Sequence, residues 1–133
     1  LHTAYRRQRQ MCIRDRNYAA LRTPLQLNGA LCALKSTPAA SELAVQLTTQ
    51  VLDRAQAKVG APSAPDLAKA HYRRALAYSA MKRDDDAKAE LDAALTHAPD
   101  DAGIVREKAA VERRRQARLA KQRAAYSKMF SSS

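Results

Sequence analysis

Between Ala68 and Pro99 the chain reads AKAHYRRALAYSAMKRDDDAKAELDAALTHAP, and this stretch constrains the fold more than any other. In a 34-residue frame counted from Ala68, Ala75 stands at position eight and Tyr78 at eleven. Ala87 follows at twenty, Leu91 at twenty-four, Ala94 at twenty-seven and Pro99 at thirty-two. Each slot has a physical task. The alanines let two paired helices approach closely, Tyr78 and Leu91 fill the space between them, and Pro99 stops the second helix.

This spacing resembles the tetratricopeptide (TPR) repeat, with two departures: His71 occupies the aromatic slot at position four and Arg74 the leucine slot at seven. The rest of the chain suits closely packed helices. Apolar residues reach 46%, many of them alanine, with no Trp and one Phe, so a thick globular core is not expected. Glycine and β-branched runs are scarce, so no strand is expected. Residues 20–35 have Leu27, Ala30, Leu31 and Leu34 at helical spacing, with Pro24 suited to the first turn of that helix. Residues 42–57 repeat the pattern through Leu43, Leu47, Val51 and Leu52, with Ser41 as the expected N-cap. Asp84, Asp85 and Asp86 open a helix, where the macrodipole favours acid, and Asp100 or Asp101 caps a last, long one. The reading is all-α: about two TPR-type helical hairpins, 17–58 and 66–99, joined by a Gly/Pro linker at 59–65. A capping helix with a basic extension follows at 100–130, then a tail at 131–133.

The net charge of +11 belongs to the ends. Residues 1–16 hold five arginines and Asp15, residues 17–105 balance ten basic against ten acidic side chains, and residues 106–133 set nine basic side chains against Glu107 and Glu112. A neutral repeat body gives no reason to expect nucleic acid there. The leader LHTAYRRQRQMCIRDR lacks a helical apolar period and a cap. Its string RRQRQMCIRDR looks like translated sequencing-adapter sequence, so 1–16 are expected to be non-native or disordered and are set aside from function. In the last helix Ile104, Val105, Ala109 and Val111 can close the open end of a repeat stack. Beyond them ERRRQARLAKQR is expected to project into solvent, and a basic helix of this kind offers an alternative function in nucleic-acid or calmodulin binding.

Cys12 and Cys32 have no CxxC spacing and no clustered histidines, so neither a metal nor a disulfide is implied, and no cofactor is expected. No apolar run approaches the roughly 20 residues of a membrane span. No Ser/His/Asp triad or phosphate loop can be assembled, so the chain itself reads as non-catalytic. One constellation carries chemistry. Lys69 and Arg73 are spaced i, i+4 and share a helix face, where they suit a carboxylate: arginine by a planar two-point hydrogen bond, lysine as a point charge. A basic pair on a helix is more often simply solvated, so a third residue is needed. Aligning Ala30 with Ala75 places Asn28 in the slot held by Arg73, and equivalent positions of neighbouring repeats line one groove. Asn28, Lys69 and Arg73 are therefore expected to converge as a peptide-binding set, with Leu27, Leu31, Tyr72 and Leu76 lining the groove.

LNGALCALK, KAHYRRALAYSAMK and the ending AAYSKMF resemble the C-terminal half of the large cyclophilins, over roughly residues 18–130. In that family of immunophilins, a peptidyl-prolyl isomerase barrel precedes three TPRs. The resemblance implies a co-chaperone module whose groove grips the acidic C-terminal tail of the chaperone Hsp90, or of Hsp70, by a carboxylate clamp. The family's Asn in LN-x-A and its Lys and Arg in K-A-x-Y-R-R fall on Asn28, Lys69 and Arg73. The family's first repeat, with further clamp residues, and its isomerase domain have no counterpart before Thr23. The expectation is thus a fragment with a partial clamp, cytoplasmic with the nucleus as an alternative. An apolar face around Leu27, Leu31 and Leu34, left bare by the missing repeat, is expected to promote self-association.

Overall fold

Four alanines of one helix, Ala68, Ala70, Ala75 and Ala77, are buried, and they set how the other helices assemble. The computed structural model describes residues 2–131, apart from the side chains of residues 12–17. Its elements in order are α1 (His2–Ser36), a 3-10 turn (Pro38–Ala40), α2 (Ser41–Asp53), α3 (Ala64–Ala80), α4 (Asp84–His97) and α5 (Ala102–Ser131). Among the described residues there is no strand. α1 packs on α2 and α3 on α4 as successive hairpins. α3 also meets α1 and α2, and α5 closes on α4. Ala70 lies in a core cluster with Leu27 and Val51, Ala77 in one with Ala30, Ala33 and Ala44, and Ala75 in one with Leu91, Ile104 and Val111. A residue without atoms beyond Cβ on each face of α3 is what lets several helices reach it. The all-α hairpin array expected from the sequence is the observed fold.

Several boundaries differ. α1 begins at His2 and so takes in residues 2–16, and Pro24 lies inside the helix rather than in its first turn. Once the packed part of α1 has formed, each added residue gains a hydrogen bond without a new nucleation cost, which carries the helix through residues 2–11, all exposed. Ser41 is the first residue of α2, 2% exposed, and makes no side-chain cap. α2 stops at Asp53, short of 57, because turns close from Val51 to Arg54 and Arg54 to Ala57. Arg54 then reaches back to α1, its Nη2 donating to Thr23 Oγ1 at 3.0 Å and to Gln26 Oε1. The loop after it rests on α1 as well. Gly60 has φ +72°, and a Cβ there would fall 2.9 Å from Ala19 Cβ, so both conformation and contact require glycine. Asp101, not Asp100, caps α5, accepting the Ile104 N–H at 3.1 Å. Residues 132 and 133 of the expected tail lie outside the described residues.

Of the leucines expected to be bare on α1, Leu27 and Leu34 are packed and Leu31 is half-buried. Leu27 is 4% exposed, and Leu34 contacts the cluster around Ala30 and Ala44. The exposed apolar side chains of α1 near them are instead Tyr18, Leu21 and Leu25.

The basic extension also departs from expectation, since its first part does not project freely. Arg115 Nε donates to Asp85 Oδ1 at 2.7 Å, Arg118 Nη2 to Asp85 Oδ2 at 3.1 Å, and Arg114 Nε to Asp84 Oδ1 at 3.3 Å. The acidic run at the head of α4 thus serves α5 as well as its own helix dipole.

α3 ends in a Schellman turn: the Arg83 N–H donates to the Tyr78 carbonyl at 2.8 Å and the Lys82 N–H to the Ser79 carbonyl at 3.1 Å. Lys82 takes the left-handed conformation, φ 62°. An L side chain there is strained by roughly 1–2 kcal/mol, partly offset by the lower entropy of the unfolded chain relative to glycine. Lys82→Gly is therefore expected to stabilise the protein by about 0.5–1 kcal/mol, read as a raised urea midpoint with an unchanged slope. A lowered midpoint would contradict this account of the turn.

The two departures from the repeat pattern explain each other. His71 and Arg74 both reach Glu90 on α4, with His71 Nδ1 2.7 Å from Oε2 and Arg74 Nη2 donating to Oε1 at 2.6 Å. Arg74 Nη1 also donates to Thr49 Oγ1 at 3.1 Å on α2, and the His71 ring stacks on His97 at 5.7 Å. A polar link replaces an apolar contact between α3 and its neighbours.

Candidate peptide-binding site

The polar residues of α3 face different neighbours. Arg73 turns toward α1: its Nη1 donates to the Leu27 carbonyl at 2.6 Å, joining α3 to the residue beside Asn28. Burial holds the Arg73 guanidinium below its usual pKa. One of its five N–H donors is taken by the Leu27 carbonyl. Lys69, one turn earlier on α3, is exposed. It stands with Tyr72, Pro65 and Ala68 beside a cavity of about 210 Å³ that Ala98, Asp101, Gly103 and Ile104 close from the α4–α5 side. Burial pushes the Tyr72 hydroxyl up, helped by Glu107 and Asp101 and opposed by Arg106.

The residues expected to form the site therefore fall into three groups. Arg73 is tied to α1 next to exposed Asn28, and Lys69 and Tyr72 share the cavity wall toward α5. Leu31 and Leu76 are half-buried. Leu27 is a correction. It is packed with Val51 and Ala70 and supplies core rather than groove, and only its carbonyl takes part. Gly29 has a packing role beside it, since a Cβ there would meet Leu47 Cδ1 at 3.1 Å. The α5 side of the cavity is not visible in local sequence. Asp101 reads as a cap residue and Gly103 carries no signal of its own, and only the return of α5 along α3 brings them to Lys69.

Chemically, Lys69 sets an exposed ammonium at the wall of a largely apolar cavity, while Arg73 and Asn28 place a guanidinium and an amide where α3 meets α1. An ammonium at the mouth of such a cavity suits a carboxylate whose neighbouring apolar side chain enters it. Among the described residues no group of three or more His, Cys, Asp or Glu side chains could hold a metal ion. Cys32 is free and exposed. No described helix is long and apolar enough to cross a membrane.

With this geometry in view, comparison with known proteins points one way. The chain is 49% identical over 124 residues to peptidyl-prolyl cis-trans isomerase D of Mycosarcoma maydis, covering 86% of this chain and 31% of that protein. It is 42% identical over 116 residues to the protein of the same name from Cryptococcus neoformans, covering 86% of this chain and 30% of the relative. The Kluyveromyces lactis protein of that name is 35% identical over 112 residues. The chain spans about a third of the length of the curated relatives it matches. No family model and no solved structure matches it.

Proposed function

We propose that this chain is a TPR-type docking module that holds the acidic C-terminus of the chaperone Hsp90, or of Hsp70, through a partial carboxylate clamp of Asn28, Lys69 and Arg73. In this reading it serves a larger peptidyl-prolyl isomerase, brought to the chaperone in the cytoplasm or nucleus, and is not itself catalytic. The observation that carries it is the bond from Arg73 to the Leu27 carbonyl, which ties α3 to α1 beside Asn28 while Lys69 stays exposed one turn away. The name of the relatives supports the link to an isomerase, and the alanine-built hairpins support the TPR type. The competing reading, a basic helix for nucleic acid or calmodulin, has less to rest on because Arg114, Arg115 and Arg118 are engaged by Asp84 and Asp85.

Lys69→Ala is expected to weaken binding of an acidic C-terminal peptide by about 1–3 kcal/mol, because the site is only partly desolvated. That is roughly a five- to hundredfold loss. Amidating the peptide's C-terminus should cost a similar amount. The two changes together should cost much less than their sum, since both remove one interaction. Calorimetric titration of the four combinations tests it, and strict additivity would show that Lys69 does not hold that carboxylate.

A further inference from the structure

Beyond Val111, α5 has no buried residue among those described, so apolar packing does not decide where its extension lies. Charge does. Arg114, Arg115 and Arg118, at i, i+1 and i+4, meet two consecutive carboxylates: Arg115 and Arg118 pair with Asp85 at 2.7 and 3.1 Å, and Arg114 and Arg118 lie 3.3 and 3.9 Å from Asp84. Arg114 Nη2 also donates to Ser79 Oγ at 3.1 Å, fixing the same face against the end of α3. We propose that the Arg114–Arg115–Arg118 face of α5 is a binding surface for an acidic segment of a partner protein, which Asp84 and Asp85 occupy in cis as an autoinhibitory latch.

The chemistry of the occupant names the partner class. Glu112 and Glu107 of α5 itself also pair with Arg115 at 2.9 Å and Arg114 at 3.6 Å, but the carboxylates that come from another helix are adjacent on a peptide backbone, and guanidinium forks match that geometry bidentately. A partner carrying consecutive Asp or Glu residues reproduces the contact. The latch is built to exchange. Asp85 is 66% exposed and Arg118 38%, and ion pairs this exposed are individually weak and screened by salt. Hydrogen bonding from Arg115 nonetheless holds the Asp85 carboxyl below its usual range, so the acid is ionised in place at neutral pH. The surface is separate from the proposed clamp. Ser79 lies ten residues beyond Lys69 on α3, about 15 Å along the helix.

The test is a titration of the full chain with an acetylated, amidated tetraglutamate peptide bearing a fluorophore, read by anisotropy at low salt. A masked site binds with an affinity reduced by the fraction of molecules that are open, so Asp85→Asn should tighten binding by about fivefold or more. Adding Arg115→Gln and Arg118→Gln to that variant should remove the gain. Asp86→Asn should change nothing, because Asp86 pairs with Arg83 rather than with α5. Lys69→Ala should also leave the affinity unchanged, which separates this surface from the clamp. The proposal is overturned by an Asp85→Asn affinity equal to wild type, by binding that survives the arginine substitutions, or by binding lost with Lys69→Ala. Tighter binding of a single-stranded RNA than of the peptide to the opened variant would overturn the assignment of partner class.

Discussion

Leu91→Ala is expected to destabilise the protein by about 3–5 kcal/mol, at the upper end of the range for a buried leucine. Leu91 is fully buried and is the largest fully buried side chain described. Its cluster explains the magnitude. Ala75, Ala87 and Ala94 bring the backbones of α3 and α4 close, so the few longer side chains, Leu91, Ile104 and Val111, fill the space between α3, α4 and α5. An alanine-lined interface cannot relax inward to refill the volume of a lost isobutyl group, because its small residues have no rotamers with which to reach. The loss is a large part of the ~5–15 kcal/mol that holds a typical domain folded. Urea denaturation followed by circular dichroism measures it. Leu91→Met, which keeps volume, should cost less than about 1.5 kcal/mol. A Leu91→Ala loss below 1 kcal/mol would mean that α3, α4 and α5 are not joined through this residue.

Much of this arrangement was legible in the sequence because it depends on local spacing. Ala75, Ala87, Leu91 and Ala94 occupy slots whose burial follows from a 3.6-residue period, and all four are buried. Pro99 follows α4, which ends at His97, as a residue without an N–H should. The features that escaped depend on pairs far apart in the chain. Nothing local to ERRRQARLAKQR indicates that three of its arginines meet Asp84 and Asp85 some thirty residues earlier. The cavity beside Lys69 needs α5 to return along α3. Leu27 was read as groove wall because an exposed and a buried leucine look alike at one helical period. It is the approach of α2 and α3, through Val51 and Ala70, that buries it. For the site, spacing put Lys69 and Arg73 on one helix, and alignment of the repeats put Asn28 on the next. The bond from Arg73 to Leu27 involves a backbone carbonyl, which no side-chain pattern reports.

Glu90→Ala is expected to cost about 2–4 kcal/mol, while Glu90→Leu combined with Arg74→Leu should lie within about 1 kcal/mol of wild type. The side chains of Glu90, His71 and Arg74 are only 13%, 17% and 19% exposed, so removing the carboxylate leaves a mostly buried guanidinium without its counter-charge. The cost falls below the roughly 3–5 kcal/mol of fully buried pairs because some solvent reaches all three. The double replacement removes both charges and restores an apolar contact where the repeat pattern expects leucine at position seven. Arg74 Nε is already buried with no partner in the present arrangement, so the ion pair carries an uncompensated polar atom that leucine would not. A pH series gives an independent check. Burial raises the Glu90 pKa, but the hydrogen bonds from His71 and Arg74 outweigh it and hold the folded value below 4.5. A carboxyl depressed in the folded state contributes stability that is present above its unfolded pKa and is lost as pH falls through the folded one. The gap between wild type and Glu90→Gln should therefore be full at pH 6–7 and narrow below about pH 4.5. A gap that widens in acid, or a double variant as unstable as Glu90→Ala, would show that this network does not join α3 to α4 in the way its distances indicate.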